Sequence, residues 1–367
     1  MLTTGEEKDY KRIIRMINKA FRSCFPLLLP KVYRNRPEYA VCHRYAQDDK
    51  GRMIAATAVI PMTLHVGDRA LKCAGVGSVA TLKKARGKGL MNEMLLDAVK
   101  IGTDSGVQLM MLGGKRLRYE RYGFVPSGFH TEFKVTDHAA TRRKTDGYSF
   151  LKLKKNGGYL ENIIRSHDTL EMRAEREKDN FSDILSSYFN TAYVVLKDGE
   201  YCGYLVKNIF GKTIEEIVLD GAEITDVVSA FVKFKRLKNV NVVVSPCREK
   251  DTREMYAFAD AFKQQESISF NVLDYPAVIE TMLVYKAKSV PLTDGEFNLG
   301  VDENTYKISV KSNTVAVTPS KDLPDAVFTK SQATILMFFP NNIYAEQYPL
   351  LKAWFPLPLY ISAVDKV

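Results

Sequence analysis

Cysteine is scarce in this chain and follows no pairing pattern: five residues, at positions 24, 42, 73, 202 and 247, none in a Cys-x-x-Cys arrangement. An odd, scattered set makes a poor disulfide framework and reads as reduced thiols in a cytoplasmic setting. Histidine is as sparse. His43, His65, His130, His138 and His167 show no metal-ligand spacing, so no metal is expected. Apolar runs such as residues 333–339 fall far short of the ~20 residues that cross a bilayer, which argues against membrane insertion. The polar start, MLTTGEEKDYKR, lacks the apolar core of a signal peptide. A phosphate loop of the form GxxxxGK[ST] is missing, and a dinucleotide site would need GxGxxG inside a parallel βαβ unit. Acidic residues are outnumbered, 43 against 53 basic, for a net charge of +10. That excess suits nucleic acid, an anionic membrane surface or a phosphorylated cofactor. No aromatic–basic motif supports a nucleic-acid role.

What is present is an ordinary globular balance, 46% hydrophobic and 26% charged over 367 residues, enough for two or three domains at about 100–200 residues each. Residues 8–21 carry apolar side chains at helical spacing (Tyr10, Ile13, Ile14, Ile17, Ala20, Phe21). Two hairpins follow, turning at 48–51 and 67–68. Residues 90–102 return to helical spacing, 107–112 form a short apolar strand, and a short helix at 117–122 precedes a strand at 124–135. A polar stretch, 137–147, reads as a linker. Residues 150–285 repeat the pattern loosely, as a weak internal duplication. Residues 288–367 differ: three short strands, helical spacing near 330–338, and a proline-rich tail.

The informative segment runs Val79-Ala80-Thr81-Leu82-Lys83-Lys84-Ala85-Arg86-Gly87-Lys88-Gly89-Leu90-Met91. A strand ends, a basic glycine-containing turn follows, and a helix begins. Helix starts leave backbone N–H groups unpaired and attract phosphate. Gly87 and Gly89 let the backbone approach a pyrophosphate without Cβ clashes. The plain alternative is a basic surface loop ahead of a helix.

This strand–RGKGLM–helix unit resembles the GNAT superfamily of acyl-CoA N-acetyltransferases, whose turn reads Q/R-x-x-G-x-G/A. Arg86 stands at its first position and Gly89 at its fourth; Met91 replaces the usual last Gly/Ala, as in the enhanced intracellular survival (Eis-like) branch. The resemblance implies acetyl-CoA as co-substrate, held by Val79, Thr81, Arg86, Gly87, Lys88, Gly89, Leu90 and Met91. A second segment, Gly113 to Phe124, resembles the family's Y-x-x-x-G-F run with Tyr119 at the tyrosine position. There the phenol can protonate the departing thiolate, since a phenol near pKa 10 and a thiol near 8.5 make the transfer feasible. The alternative is that Tyr119 only packs its ring, the role expected of Tyr122. For the base, the resemblance implies the terminal carboxylate, here on Val367, which would need burial or a water relay given a reference pKa of about 3.3–3.7; the alternative is a frayed terminus. Asp365 is a second candidate for the base, with a surface charge as its alternative.

The resemblance covers nearly the whole chain. It implies an α+β protein with two GNAT-like mixed-sheet domains in tandem, a catalytic one over 1–136 and a degenerate one over 148–286. A small sterol-carrier-protein-like α/β domain follows over 287–367. Between Leu219 and Ile224 the central unit has only DGAE, acidic where phosphates would sit, so it is expected not to bind CoA. The activity implied is acetyl transfer to a primary amine of a small molecule (polyamine or aminoglycoside-like) or of a lysine, with a longer acyl group as an enzymatic variant. The competing class is a non-catalytic CoA-sensing or lipid-binding protein that works through its C-terminal domain. A homo-oligomer is compatible with either.

Overall fold

The computed structural model describes residues 2–154, 157–340 and 343–367. β1 (Thr3–Thr4) and β2 (His43–Gln47) lead into two long strands, β3 (Met53–Val66) and β4 (Arg69–Thr81). The Asp48 carboxylate forms the first turn by accepting from the Lys50 and Arg52 N–H groups at 3.1 and 2.9 Å, the usual role of aspartate in turns. Alternate residues of β3 serve opposite layers. Ala56, Ala58 and Ile60 pack under helix Tyr10–Phe21, with its Ile13 and Ile17. Val59 meets Leu95 and Ala98 of helix Leu90–Asp104.

β5 (Leu109–Leu112) and β6 (Val125–Thr136) close the first unit in sequence. The second contributes β7 (Tyr148–Lys152), β8 (Met172–Ala174), β9 (Asn190–Lys197), β10 (Glu200–Asn208), β11 (Thr213–Leu219), β12 (Asn239–Val244) and β13 (Ala261–Val272). All of these join one sheet, ordered β1-β2-β3-β4-β5-β13-β6-β12-β11-β10-β9-β7, with β8 beside β3. The order shows an exchange. β13 lies between β5 and β6, antiparallel to both, while β6 pairs with β12. Each half of the sheet is therefore completed by a strand from the other half's sequence.

The stretch expected as a linker is built into this assembly. Thr136 caps helix Asp137–Ala140, its Oγ1 accepting from the Ala139 N–H at 3.2 Å. Ala139 and Ala140 are fully buried in the core formed around helix Ile224–Lys235. Two alanines in a polar run give no periodic signal, yet they permit close helix approach. Helix Tyr275–Ala287 is also absent from the sequence pattern. It buries Val278, Ile279, Met282 and Leu283 between the large sheet and the last unit, and a helix apolar on several sides shows no stripe.

The last unit is a four-stranded sheet of β14 (Gly295–Val301), β15 (Asn304–Lys311), β16 (Thr314–Ser320) and β17 (Ala326–Phe328), in the order β16-β15-β14-β17. Helices Lys330–Phe338 and Pro349–Trp354 cover it. Its Phe297, Phe338 and Trp354 share one core with Phe270 of β13 and Met111 of β5.

A fragment of residues 2–147 lacks β13 and leaves β5 an open edge. Expressed alone, it is expected to show no cooperative melt by circular dichroism, and co-expression with residues 148–367 should restore one. A cooperative melt of the fragment by itself would contradict a structural need for the exchange.

Candidate active site

β4 and β5 are parallel and pair only from Cys73 opposite Leu109 to Val76 opposite Leu112. β5 then ends, while β4 continues to Thr81. Residues 77–81 thus have β3 on one side and a cleft on the other. β4 bulges here, its register against β3 shifting between the Ala58–Gly77 and Ala56–Ala80 pairs, with Ser78 at φ +53°. A bulge re-aims the backbone, a common device beside active sites. The buried Tyr33 hydroxyl braces it, 2.5 Å from Ser78 Oγ and 2.9 Å from His43 Nε2. Burial holds His43 down at about 4, so the ring is neutral and serves as scaffolding.

The turn after β4 leads to helix Leu90–Asp104 through Gly87 at φ +79° and Gly89 at φ +75°. No side chain caps the helix start, so its first N–H groups remain available to an anion. A cleft of about 500 Å³ opens here. Of the residues expected to hold the co-substrate, Val79, Thr81, Arg86, Gly87, Gly89, Leu90 and Met91 line it. Lys88 lines an adjoining basic groove with Arg12, Arg15, Lys19, Lys83 and Lys84. Phe21, Asn92, Arg118 and Arg121 also line the cleft. Arg118 and Arg121 belong to the Gly113–Phe124 segment and Asn92 follows Met91, but sequence patterning gave none of the four a role at the cleft.

Tyr119 is 6% exposed and stands in the core with Val76, Leu112 and Phe124. Its ring lies so close to Gly114 that a Cβ there would sit 2.4 Å from Tyr119 Cε2. Tyr122 packs in the same cluster and donates its hydroxyl to Asn92 Oδ1 at 2.9 Å.

The tail crosses the molecule and ends beside the bulge. Val367 packs on β4: a Cβ on Gly75 would lie 2.1 Å from its Cγ2, and one on Gly77 would lie 3.2 Å from its carboxyl carbon. Two glycines in β4 thereby make room for the last residue. Val367 and Lys366 line a cavity of about 520 Å³ with Gly113, Gly114, Glu215 and Glu266. Burial raises the Glu215 carboxyl above its usual range, with Lys366 opposing. Asp365, expected at the surface, is buried. Both its oxygens accept from Arg176, at 2.8 Å each. Its polar neighbours in sequence conceal a partner 189 residues away.

Among the described residues, no group of three or more His, Cys, Asp or Glu is placed to hold a metal ion. No helix is long and apolar enough to cross a membrane among them. The chain matches no curated protein in sequence. In solved structures the fold recurs along its whole length. A GCN5-related N-acetyltransferase from Kribbella flavida is 15% identical, with a TM-score of 0.73 over 100% of this chain and 98% of that one. A probable N-acyltransferase of unknown function from Enterococcus faecalis is 14% identical, with a TM-score of 0.75 over 100% and 99%. Eis1 from Mycobacterium abscessus is 12% identical, with a TM-score of 0.68 over all of both chains. At such identities the likeness shows a shared fold. Residues 2–126 match the family model for an acetyltransferase (GNAT) domain. The split between β4 and β5 and the basic turn lie inside that span, so the chain carries a GNAT acetyltransferase domain and is an acyltransferase.

Proposed function

We propose that this protein transfers an acetyl group from acetyl-CoA to a primary amine of a small polyamine- or aminoglycoside-like molecule, or of a lysine, by direct attack. The observation that carries this reading is the meeting of two features at β4: a cleft suited to a pantetheine arm, and the Val367 carboxyl group beside the bulge.

The free edge of residues 77–81 suits the amides of an extended arm, as added strands pair with sheet edges. Gly87, Gly89, Arg86 and the N–H groups of Leu90 and Met91 suit the pyrophosphate, with Val79 and Thr81 along the arm. Lys88 and the basic groove draw in the rest of a polyanion. The thioester carbonyl then lies near the bulge at Ser78, whose backbone N–H groups would stabilise the developing oxyanion.

The acceptor enters through the cavity bounded by Glu215, Glu266 and Val367. The protein is basic overall, but two other cations near that cavity are already engaged. Lys366 Nζ donates to the Ser267 carbonyl at 2.6 Å, and Arg116 donates to Glu120 at 2.8 Å. Lys366 still faces Glu215, and Glu266 with the Val367 carboxylate is left to attract a cationic amine. The Val367 carboxylate takes the amine proton, and the nitrogen attacks the acetyl carbon. Tyr119 protonates the departing thiolate. Positioned acid–base groups contribute about 10²–10⁴-fold in such steps. The central unit, with Asp220 and Glu223 between β11 and its helix, supports the acceptor cavity and binds no CoA. Residues 287–367 are read as a sterol-carrier-protein-like unit; with Phe297, Phe338 and Trp354 filling its core, its role is to launch the tail.

Free-thiol release from acetyl-CoA is expected with at least one member of a primary-amine panel. Tyr119→Phe should lower kcat by about 10²-fold or more at unchanged acetyl-CoA affinity. No release with any amine, together with no acetyl-CoA binding by calorimetry, would refute the reading. Turnover indifferent to Tyr119→Phe would remove Tyr119 as the acid, and acetyl-CoA binding without thiol release would favour the CoA-sensing or lipid-binding alternative.

Gly89→Val places a β-branched residue at a left-handed φ, at about 1–2 kcal/mol or more, and distorts the helix start. Calorimetry should show CoA binding weakened by about tenfold; unchanged affinity would move the phosphate site elsewhere.

A further inference from the structure

The second half of the sheet repeats the geometry of the first. β11 and β12 pair in parallel only at Thr213 opposite Asn241 and Ile214 opposite Val242, then part. β11 also bulges against β10, between the Val206–Glu216 and Lys207–Ile214 pairs, as β4 does against β3. In the first half this opening is the donor cleft. In the second, the chain's own tail lies against it. A cavity of about 190 Å³ there is bounded by Glu216 and Ile217 of β11, Val243 of β12, and Tyr360, Ser362 and Asp365 of the tail.

The tail is held there residue by residue. Its Ile361 carbonyl accepts from Ser267 Oγ of β13 at 3.2 Å. Ser362 Oγ donates to Glu216 Oε2 at 2.5 Å. Val364 is fully buried with Phe181, Ile184 and Tyr204, and its carbonyl accepts from Lys31 Nζ at 2.7 Å. The Lys366 carbonyl accepts from the Tyr188 hydroxyl at 3.1 Å. At the centre stands Arg176. It donates through Nε and Nη2 to Asp365 at 2.8 Å each, and through Nη1 and Nη2 to Glu216 at 2.9 and 2.7 Å. The Arg176 side chain is 1% exposed, and its two partners are 7% and 5% exposed. Glu216 also accepts from the Tyr204 hydroxyl at 2.7 Å. A forked guanidinium between two buried carboxylates fixes direction as well as distance.

We propose that Arg176 is a positioning residue for the reaction: by clamping Asp365 onto Glu216 in the opening between β11 and β12, it fixes the chain's last residues so that the Val367 carboxylate stays over Gly75 and Gly77. The degenerate half of the sheet thus uses its opening as the socket for the first half's base. Only Lys366 separates the clamp at Asp365 from Val367, so a loosened clamp lets the carboxylate wander. Loss of about 1 Å in placement can cost about 10²-fold in rate. This inference rests on Val367 as the base.

The test compares the full-length protein with Asp365→Asn, Arg176→Lys and Tyr188→Phe, and with a chain lacking Val367. Each is assayed for kcat, acetyl-CoA KM, melting temperature and trimming by carboxypeptidase. Asp365→Asn and Arg176→Lys should lower kcat by about tenfold to a hundredfold, with acetyl-CoA KM within about twofold and a cooperative melt retained. Both should lose Val367 and Lys366 to carboxypeptidase at least about fivefold faster than the parent. Tyr188→Phe, which removes one hydrogen bond and leaves the charges intact, should show the same pattern more weakly, and it serves if the charge variants do not fold. Full activity without Val367 would overturn the assignment of the base and this inference with it. Loss of activity without Val367, but parental kcat and trimming in Asp365→Asn and Arg176→Lys, would overturn the clamp alone. Trimming needs no turnover, so it judges the clamp even where thiol release is absent.

Discussion

A strand edge with unpaired backbone groups is costly to bury unless something hydrogen-bonds to it. β4 runs on without a β5 partner beyond Val76 because β5 stops at Leu112, and Arg86 Nε donates to the Thr81 carbonyl at 3.4 Å. The surrounding structure keeps that edge open. β13 covers the far side of β5, so the sheet continues without closing the split. The bulge at Ser78, braced by Tyr33, turns the backbone toward the gap. The turn through Gly87 and Gly89 brings a helix start to the mouth of the cleft, and glycines at 75 and 77 admit Val367 beside it.

The two halves show one geometry put to two uses. Between β4 and β5 the opening is lined by a basic turn and uncapped helix N–H groups. Between β11 and β12 the corresponding turn is acidic, and the opening holds Arg176, Glu216 and the tail. The charge balance there is close. One guanidinium faces two carboxylates, and Lys31 lies nearby. Burial lowers Lys31 to about 7, with Asp365 opposing and Arg176 reinforcing the drop. Glu216 loses solvation as well, but Arg176 holds its carboxyl down at about 2. Breaking one partner from such a buried set costs about 3–5 kcal/mol, because it strands a charge without water. That asymmetry makes a buried clamp suitable for fixing a chain end that would otherwise fray.

Local chemistry made much of this legible in sequence. Asp48 and Gly51 mark a turn, and the β-rich runs around it mark a hairpin. Arg86, Gly87 and Gly89 mark a basic turn ahead of a helix, proposed above to hold the pyrophosphate, because their conformational and charge properties act over a few residues. The exchange of β6 and β13 was hidden, since strand order depends on contacts more than a hundred residues apart. Helix Tyr275–Ala287 escaped because burial on several sides erases periodicity. Asp137–Ala140 looked like a linker because its buried alanines sit among polar neighbours. Arg176, in the run RAEREKD, reads as surface until Glu216 and Asp365 are brought to it. The same distance hides Glu215 and Glu266, which meet Val367 only through the folded tail.

The central claim is that one split sheet brings a thioester and the chain's terminal carboxylate together at β4. A crystal structure with CoA bound tests it most directly. The expected result has the pantetheine amides paired with β4 between residues 77 and 81, the pyrophosphate on the N–H groups after Gly87, and the sulfur facing the cavity that holds Val367. CoA bound elsewhere, or a sulfur directed away from Val367, would contradict the account.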